Sequence, residues 1–337
     1  MLNLVLIFTT VFLLTALPGG LAVGWLSKLG AKQNVNPDAP ASHAAKQGTP
    51  TMGGLLFLFP FMLVVLGLGL AKGLNFQTNT LLPLLLLTGA HGVIGFLDDY
   101  LSAKRGKNLG LRAREKFIAQ FMVSVGFVLW LAKTQHPDTT LIQLLPTNAA
   151  NGIFDLGWVY YPLAVLMIVG FSNATNFTDG LDGLAGGLTM LIALALSVLF
   201  WQIHPELALF TVALAGGLAG FLWWNAHPAK MFMGDTGSIA LGAGLAGVAL
   251  VGKQEIAFII ASILCWAELI SVIIQVGVFK IRKAQKGIEY ARANRVFRRT
   301  PLHHHFEEIG VPETALVSRF WLAGILCAFL ALLWGRG

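Results

Sequence analysis

The stretch TLLPLLLLTGAHGVIGFLDD, residues 80–99, decides the fold class. From Thr80 to Leu97 it holds no Asp, Glu, Lys or Arg, and it ends on Asp98 and Asp99. A helix needs roughly 20 predominantly apolar residues to cross a bilayer. The stretch therefore reads as one crossing whose polar end carries two carboxylates. The rest of the chain is of the same kind. Its 337 residues are 56% hydrophobic and only 12% charged, with a mean hydropathy of +0.72. A soluble domain carries about a quarter charged residues, so the bilayer is the solvent for most of this sequence.

Apolar runs near 2–24, 53–71, 80–97, 117–132, 158–175, 184–203, 207–225, 237–251, 255–279 and 314–334 predict an all-α integral membrane fold of about ten transmembrane helices. The short, Gly-rich run 237–251 is the weakest of them. No repeat divides the chain, so a single polytopic domain over 1–337 is expected. An even count puts both termini on one side. Lysine and arginine choose that side: of 23 basic residues, only Lys72, Lys133, Lys253 and Arg336 lie in one set of loops. The opposite set, near 25–52, 98–116, 176–183, 226–236 and 280–313, is expected in the cytoplasm, with both termini extracytoplasmic. The opening run has no basic leader region and reads as a first crossing rather than a signal peptide. Cys265 and Cys327 sit in apolar runs, which argues against a disulfide framework. The net charge of +7 follows loop asymmetry, and no basic stretch interleaved with aromatics suggests nucleic acid.

The polar groups gather in the same loops, which predicts an active-site cleft on the cytoplasmic face. Asp98 and Asp99 precede a basic loop with Lys104, Arg105, Lys107, Arg112, Arg114 and Lys116. Adjacent helical residues point about 100° apart. One carboxylate can hold a metal or accept a proton while the other pairs with a loop cation; a plain polar helix end is the bland alternative. Between two runs lies Asn173-Ala-Thr-Asn176-Phe-Thr-Asp179-Gly-Leu-Asp182-Gly183, with Asn176, Asp179 and Asp182 at i, i+3 and i+6. Capping explains one Asn and one Asp there, not the whole set. Two glycosylation sequons in it face the wrong side. In Phe232-Met-Gly-Asp235-Thr-Gly237 a lone carboxylate stands in a tight turn before a helix. Backbone amides at such a turn favour phosphate, so Asp235 needs a cation, and magnesium bridging it to a diphosphate satisfies both. A capped loop is the alternative.

The consecutive imidazoles His303, His304 and His305 lack the spacing of a helical metal site. They suit donors to phosphate oxygens that gain charge. Gly242-Ala-Gly244-Leu-Ala-Gly247 matches a dinucleotide fingerprint, but within an apolar run it reads as helix packing. Glu268, Ser271 and Gln275 share one helix face, lining a wet cleft or making a buried hydrogen bond. The polar loop 133–157 reads as a hairpin or surface flap. Carboxylates, amides and cations beside apolar helices suit phosphoryl transfer from a soluble activated donor to a membrane-borne acceptor.

Five motifs in order, Gly48-Thr-Pro-Thr-Met-Gly-Gly54, Phe96-Leu-Asp-Asp-Tyr100, the Asn173–Gly183 run, Phe232–Gly237 and Pro301-Leu-His-His-His-Phe-Glu307, closely resemble the MraY family of phospho-N-acetylmuramoyl-pentapeptide transferases. That resemblance implies a Mg2+-dependent enzyme of the bacterial cytoplasmic membrane. Its substrates would be UDP-MurNAc-pentapeptide and undecaprenyl phosphate, and its products lipid I and UMP, with a homodimer as the assembly. It implies Asp235 as magnesium ligand and Asp98 as the carboxylate that deprotonates or orients the lipid phosphate, beside Asp99. Asn176, Asp179, Asp182, Asn225, Phe232 and Gln275 match the nucleotide-binding group, with Phe232 suited to stacking on uracil. His303, with His304 and His305, matches a triplet near the diphosphate and sugar, and Lys46 a functional lysine. Where relatives carry a lysine after the aspartate pair this chain has Ser102, so Lys104 or Arg105 is expected to supply the charge. Polyprenyl-phosphate GlcNAc-1-phosphate transferases share the aspartate motifs, but the histidine run favours the muramoyl branch. A secondary transporter would place its binding groups near the midplane within internal repeats, and none is visible.

Overall fold

The computed structural model describes residues 2–28, 46, 48–71, 73, 79–105, 110–134, 138–145 and 152–336. Most of the first expected loop lies outside them, as do Lys72, Lys107 and part of the polar loop 133–157. Each of the ten apolar runs forms helix, but the count of crossings changes. Eight helices are long and apolar enough to cross a membrane, nine if one bent pair is taken as a single span. The pair is α1 (Leu2–Ala16) and α2 (Gly19–Lys28), bent by 41°. Pro18 and the two following glycines sit at the break, where proline has no N–H for the ladder. The other shortfall is α7 (Leu184–Phe200), whose 17 residues reach about 26 Å, less than a bilayer core of about 30 Å.

The remaining long helices are α3 (Gly54–Ala71), α4 (Leu81–Arg105), α5 (Ala113–Thr134), α6 (Tyr160–Thr178), α8 (Pro205–Asn225), α9 (Gly234–Val251), α11 (Ile263–Lys286) and α14 (Glu313–Arg336). The run from 255 splits at Ser262 into the short α10 (Glu255–Ala261) and α11. Two further short helices, α12 (Ile288–Ala293) and α13 (Leu302–Glu308), follow α11. The polar loop does form a hairpin: β1 (Leu141–Gln143) pairs antiparallel with β2 (Ile153–Asp155), Leu141 opposite Asp155. Apart from this pair the described fold is all-α.

Local chemistry explains how the helices start and how their polar side chains survive. Asn79 accepts the Leu81 and Leu82 N–H groups and so caps α4, while its amide donates to the carbonyls of Gly69 and Gly73 at the end of α3. Buried hydroxyls such as Thr88, Ser124, Thr189 and Thr211 donate to the carbonyl four residues back. Each of these hydroxyls is thereby satisfied within its own helix.

The run expected to be weakest becomes the centre. Every residue of α9 from Thr236 to Val251 is buried, with α4 on one side and α6 on the other. Its glycines make this possible. A Cβ at Gly242 would lie 2.5 Å from the Phe171 carbonyl oxygen of α6, and one at Gly244 would lie 2.7 Å from the Thr88 hydroxyl of α4. The dinucleotide look-alike is thus a packing surface. Around this helix, α3 locks to α8 through Phe57–Phe221 and the edge-on pair Phe61–Phe210, whose ring centroids lie 5.4 and 5.0 Å apart.

Candidate active site

Because α4 and α9 touch along their length, the residues at their ends meet. Gly95 lies so close to the Asp235 carbonyl that no side chain fits there, and one turn later α4 delivers Asp98 and Asp99 beside the α9 N-terminus. The two aspartates do different work. Asp99 is buried and accepts from the Asp235 N–H at 3.1 Å, the Thr236 N–H at 2.9 Å and the Thr236 hydroxyl at 2.6 Å. It caps α9 with three accepted hydrogen bonds. Of the two expected aspartates, Asp99 is thus the one that holds the start of α9 in place. Asp98 is only half-buried; it accepts the Leu111 N–H at 2.7 Å and faces the Lys116 ammonium at 3.9 Å.

Lys116, from the first turn of α5, also bonds directly to Asp235. One ammonium is thus shared by two carboxylates from different helices. Asn176, at the end of α6, donates to the other oxygen of Asp235 at 2.7 Å and to the Ser238 hydroxyl at 2.9 Å. Four helix ends, of α4, α5, α6 and α9, converge on Asp235. Lys104, expected to supply the charge, lies exposed at the end of α4 with no ion-pair partner among the described residues. Lys116 was visible in the sequence only as one of six basic residues of the loop. Asp179 follows on from α6. Burial raises its carboxyl to about 8, and the neighbouring charges of Asp235 and Asp99 push the same way.

A second cluster adjoins the first. Asp182 is buried and pairs with the Lys46 ammonium at 2.8 Å, and it accepts from His227 Nδ1 at 3.0 Å and the Ala229 N–H at 3.1 Å. The Lys46 ammonium reaches Glu313 at 2.5 Å and stands 6.0 Å from the Phe232 ring centroid. Asp182, His227 and Glu313 offer ligand atoms within 4.8 Å of one another and form a group able to hold a metal ion. In the structure the lysine lies between the two carboxylates. The Gly48–Gly54 motif is stitched to this region: Phe232 donates its N–H to the Pro50 carbonyl, and Gly53 and Gly54 donate to the carbonyls of Phe232 and Met233, each at 2.8 Å. Asn225 is buried, with its amide spent on the Met231 carbonyl and its oxygen on the Gly183 N–H. It holds these loops together.

The three histidines part company. His303 is fully buried, its N–H accepted by both Glu268 oxygens at 3.2 Å and its Nδ1 3.2 Å from the same carboxylate. Its Nε2 presses on Gly180, where a Cβ would overlap it. His304 Nδ1 lies 2.6 Å from Glu307, and burial holds its imidazole below the usual range. His305 accepts the Arg298 N–H at 3.2 Å. The triplet links α11, the Asp179–Asp182 loop and the 295–299 segment. Gln275 likewise accepts the Val296 and Phe297 N–H groups, both at 3.1 Å. The Glu268 stripe resolves into a buried pair.

Asp98 and Asp235 bring hard carboxylate oxygens to one shared cation, the Lys116 ammonium. A membrane-embedded cluster of this kind defines a class, and the family model for glycosyl transferase family 4 matches residues 81–253, which carry α4 through α9 and both aspartate groups. A signature of the phospho-N-acetylmuramoyl-pentapeptide-transferases covers residues 46–58, including Lys46 and the Gly48–Gly54 motif. The enzyme of that name from Halalkalibacterium halodurans is 39% identical over 335 residues, 98% of either chain. Its counterpart from Bacillus subtilis is 38% identical over the same coverage, and that from Heliobacterium modesticaldum 42% identical over 93% of this chain and 94% of its own. The chain belongs to the phospho-N-acetylmuramoyl-pentapeptide-transferases, multi-pass enzymes of bacterial membranes.

Proposed function

We propose that the protein transfers phospho-MurNAc-pentapeptide from UDP-MurNAc-pentapeptide to undecaprenyl phosphate, giving lipid I and UMP in peptidoglycan synthesis. The observation that carries this reading is the convergence of Asp98, Lys116, Asn176 and Asp235 at four helix ends, in a chain related to these transferases over nearly its whole length. An apolar groove of about 580 Å3 between α5 and α6 supports the lipid half. It is lined by Phe117, Phe121, Val125, Val128 and Leu166, and begins at the residue after Lys116. A polyprenyl chain laid there has its phosphate beside the Lys116 ammonium and the Asp98 carboxylate.

In this reading Asp98 orients and deprotonates the acceptor phosphate, whose oxygen attacks the sugar-linked phosphorus directly as UMP leaves. Lys116 neutralises charge between the reacting groups, and Asn176 fixes the Asp235 rotamer. Asp179, with a carboxyl that holds its proton toward neutral pH, can donate a hydrogen bond to the donor. Asp182, Phe232 and Lys46 face the nucleotide, with Phe232 offering the ring for the uracil. Asp235 would hold Mg2+, with Asp98 facing the same cation, and the ion supplies neutralisation of the diphosphate. We further assign this site to the cytoplasmic face, both termini to the opposite side, and the whole chain to one membrane unit acting as a homodimer. The distribution of lysine and arginine supports the orientation.

The test is UMP release by purified protein in detergent with undecaprenyl phosphate, Mg2+ and either UDP-MurNAc-pentapeptide or UDP-GlcNAc. Release from the muramoyl donor alone, lost on Mg2+ chelation and in Asp235→Ala, is the expected result. Release from UDP-GlcNAc assigns the chain to the GlcNAc-1-phosphate branch, and a phosphorylated Asp98 trapped on the path replaces direct attack with two steps.

A further inference from the structure

Between α12 and α13 the chain builds a cationic cavity that the phosphate chemistry leaves unused. Arg292, Arg295, Arg298 and Arg299 surround about 610 Å3 of space, with Glu308 as the one carboxylate in its wall. Glu308 lies 3.6 Å from Arg299, and Arg292 is paired along α12 with Glu289 at 3.4 Å. Arg298 donates to the Glu308 carbonyl at 3.1 Å, a contact that leaves its charge unbalanced. Arg295 has no acidic partner among the described residues. The cavity therefore holds surplus positive charge, presented as planar forks suited to bidentate carboxylates.

This segment is fastened to the rest of the site. Gln275 takes the Val296 and Phe297 N–H groups, His305 takes that of Arg298, and the next residue but one along α13, His303, presses on Gly180 of the aspartate loop. A second space of about 440 Å3 shares Arg295 and Arg299 and continues to Gln275. The arginines are thus set at a fixed place relative to Asp179 and Asp182, not carried on a loose tail.

The donor's own charges say what belongs there. A nucleoside diphosphate sugar bearing a peptide is anionic at the diphosphate and again at the peptide's terminal carboxylate. The diphosphate can be met by Lys116 and a cation on Asp235. A carboxylate placed in the same cluster would face Asp98 and Asp235, and like charges in a site of low dielectric repel. It needs a separate positive seat. We propose that the arginine cavity between α12 and α13 binds the terminal carboxylate of the donor's peptide stem, and so contributes to choosing peptide-bearing donors; this rests on the function proposed above.

The test is equilibrium binding to the full chain in detergent, using UDP-MurNAc-pentapeptide and the same donor with its terminal carboxylate amidated. Wild type should bind the acid about tenfold more tightly than the amide, the loss expected for one charge-assisted contact. Arg295→Gln should bind both forms equally, at the wild-type affinity for the amide. Equal binding of the two forms by wild type, or an unchanged preference in a folded Arg295→Gln protein, overturns the proposal. So does an effect of the substitution confined to vesicles of anionic lipid, which assigns the cavity to membrane headgroups. Failure of the underlying function is distinct: neither donor form binds, and wild type releases no UMP.

Discussion

At the scale of single residues, Asp98 and Asp99 share a helix turn and diverge in role because one faces the shared ammonium and the other the first amides of α9. Asp99→Ala should cost about 1 kcal/mol of stability through the lost cap, read as a lower thermal midpoint in detergent. Asp98→Asn should leave the midpoint in place and remove UMP release. Lys116→Gln should lower turnover about 100-fold with the fold intact, the usual loss when one donor to developing charge is removed. Glu268→Ala strips the buried His303 of its acceptor and should cost about 3 kcal/mol; Glu268→Gln, which still accepts the His303 N–H, should recover most of that midpoint. The aspartates and Asn176 were legible in the sequence because they cluster within short motifs. The partners that organise them were not. Lys116 lies 119 residues from Asp235, and Lys46 lies 267 from Glu313. No local spacing encodes a pair at such separations. The histidine run shows the same limit from the other side: the His303 and His304 rings lie 4.2 Å apart, yet the three imidazoles take different partners, Glu268, Glu307 and the Arg298 N–H, which adjacency in sequence does not encode.

At the scale of elements, apolar runs located every long helix, since bilayer thickness fixes run length. What hydropathy did not show was where a run forms a helix just short of a full span, as α7 does, or bends, as the α1–α2 pair does. Helix α7 still carries the chain away from Asp182 to the start of α8, whose far end returns to the site at Asn225. Hydropathy also ranked α9 last because glycine scores as weakly apolar, although glycine is what lets α9 sit between α4 and α6. Gly242→Val should therefore overpack the α6 contact and cost about 1–3 kcal/mol. Gly277→Val, on the exposed face of α11 with nothing within 4 Å, should change the melting curve little. Similar midpoints for the two variants would remove α9 from its place as the packing centre.

At the scale of the whole molecule, orientation rests on loop charge, and a reporter joined to the C-terminus checks it: alkaline phosphatase should be active there and a cytoplasm-dependent fluorescent protein dark. The burial of α9 has a consequence for the enzyme in different bilayers. Its 18 residues reach about 27 Å, so on the lipid boundary it would suffer hydrophobic mismatch in a thick membrane. Its neighbours shield it from that boundary, while α5, α11 and α14 present most of their surface outward and can tilt to match the hydrocarbon. The distance between Asp98 and Asp235 is then set by protein contacts alone, and turnover should stay level across lipids of different acyl length where an enzyme with a lipid-facing catalytic helix would show an optimum.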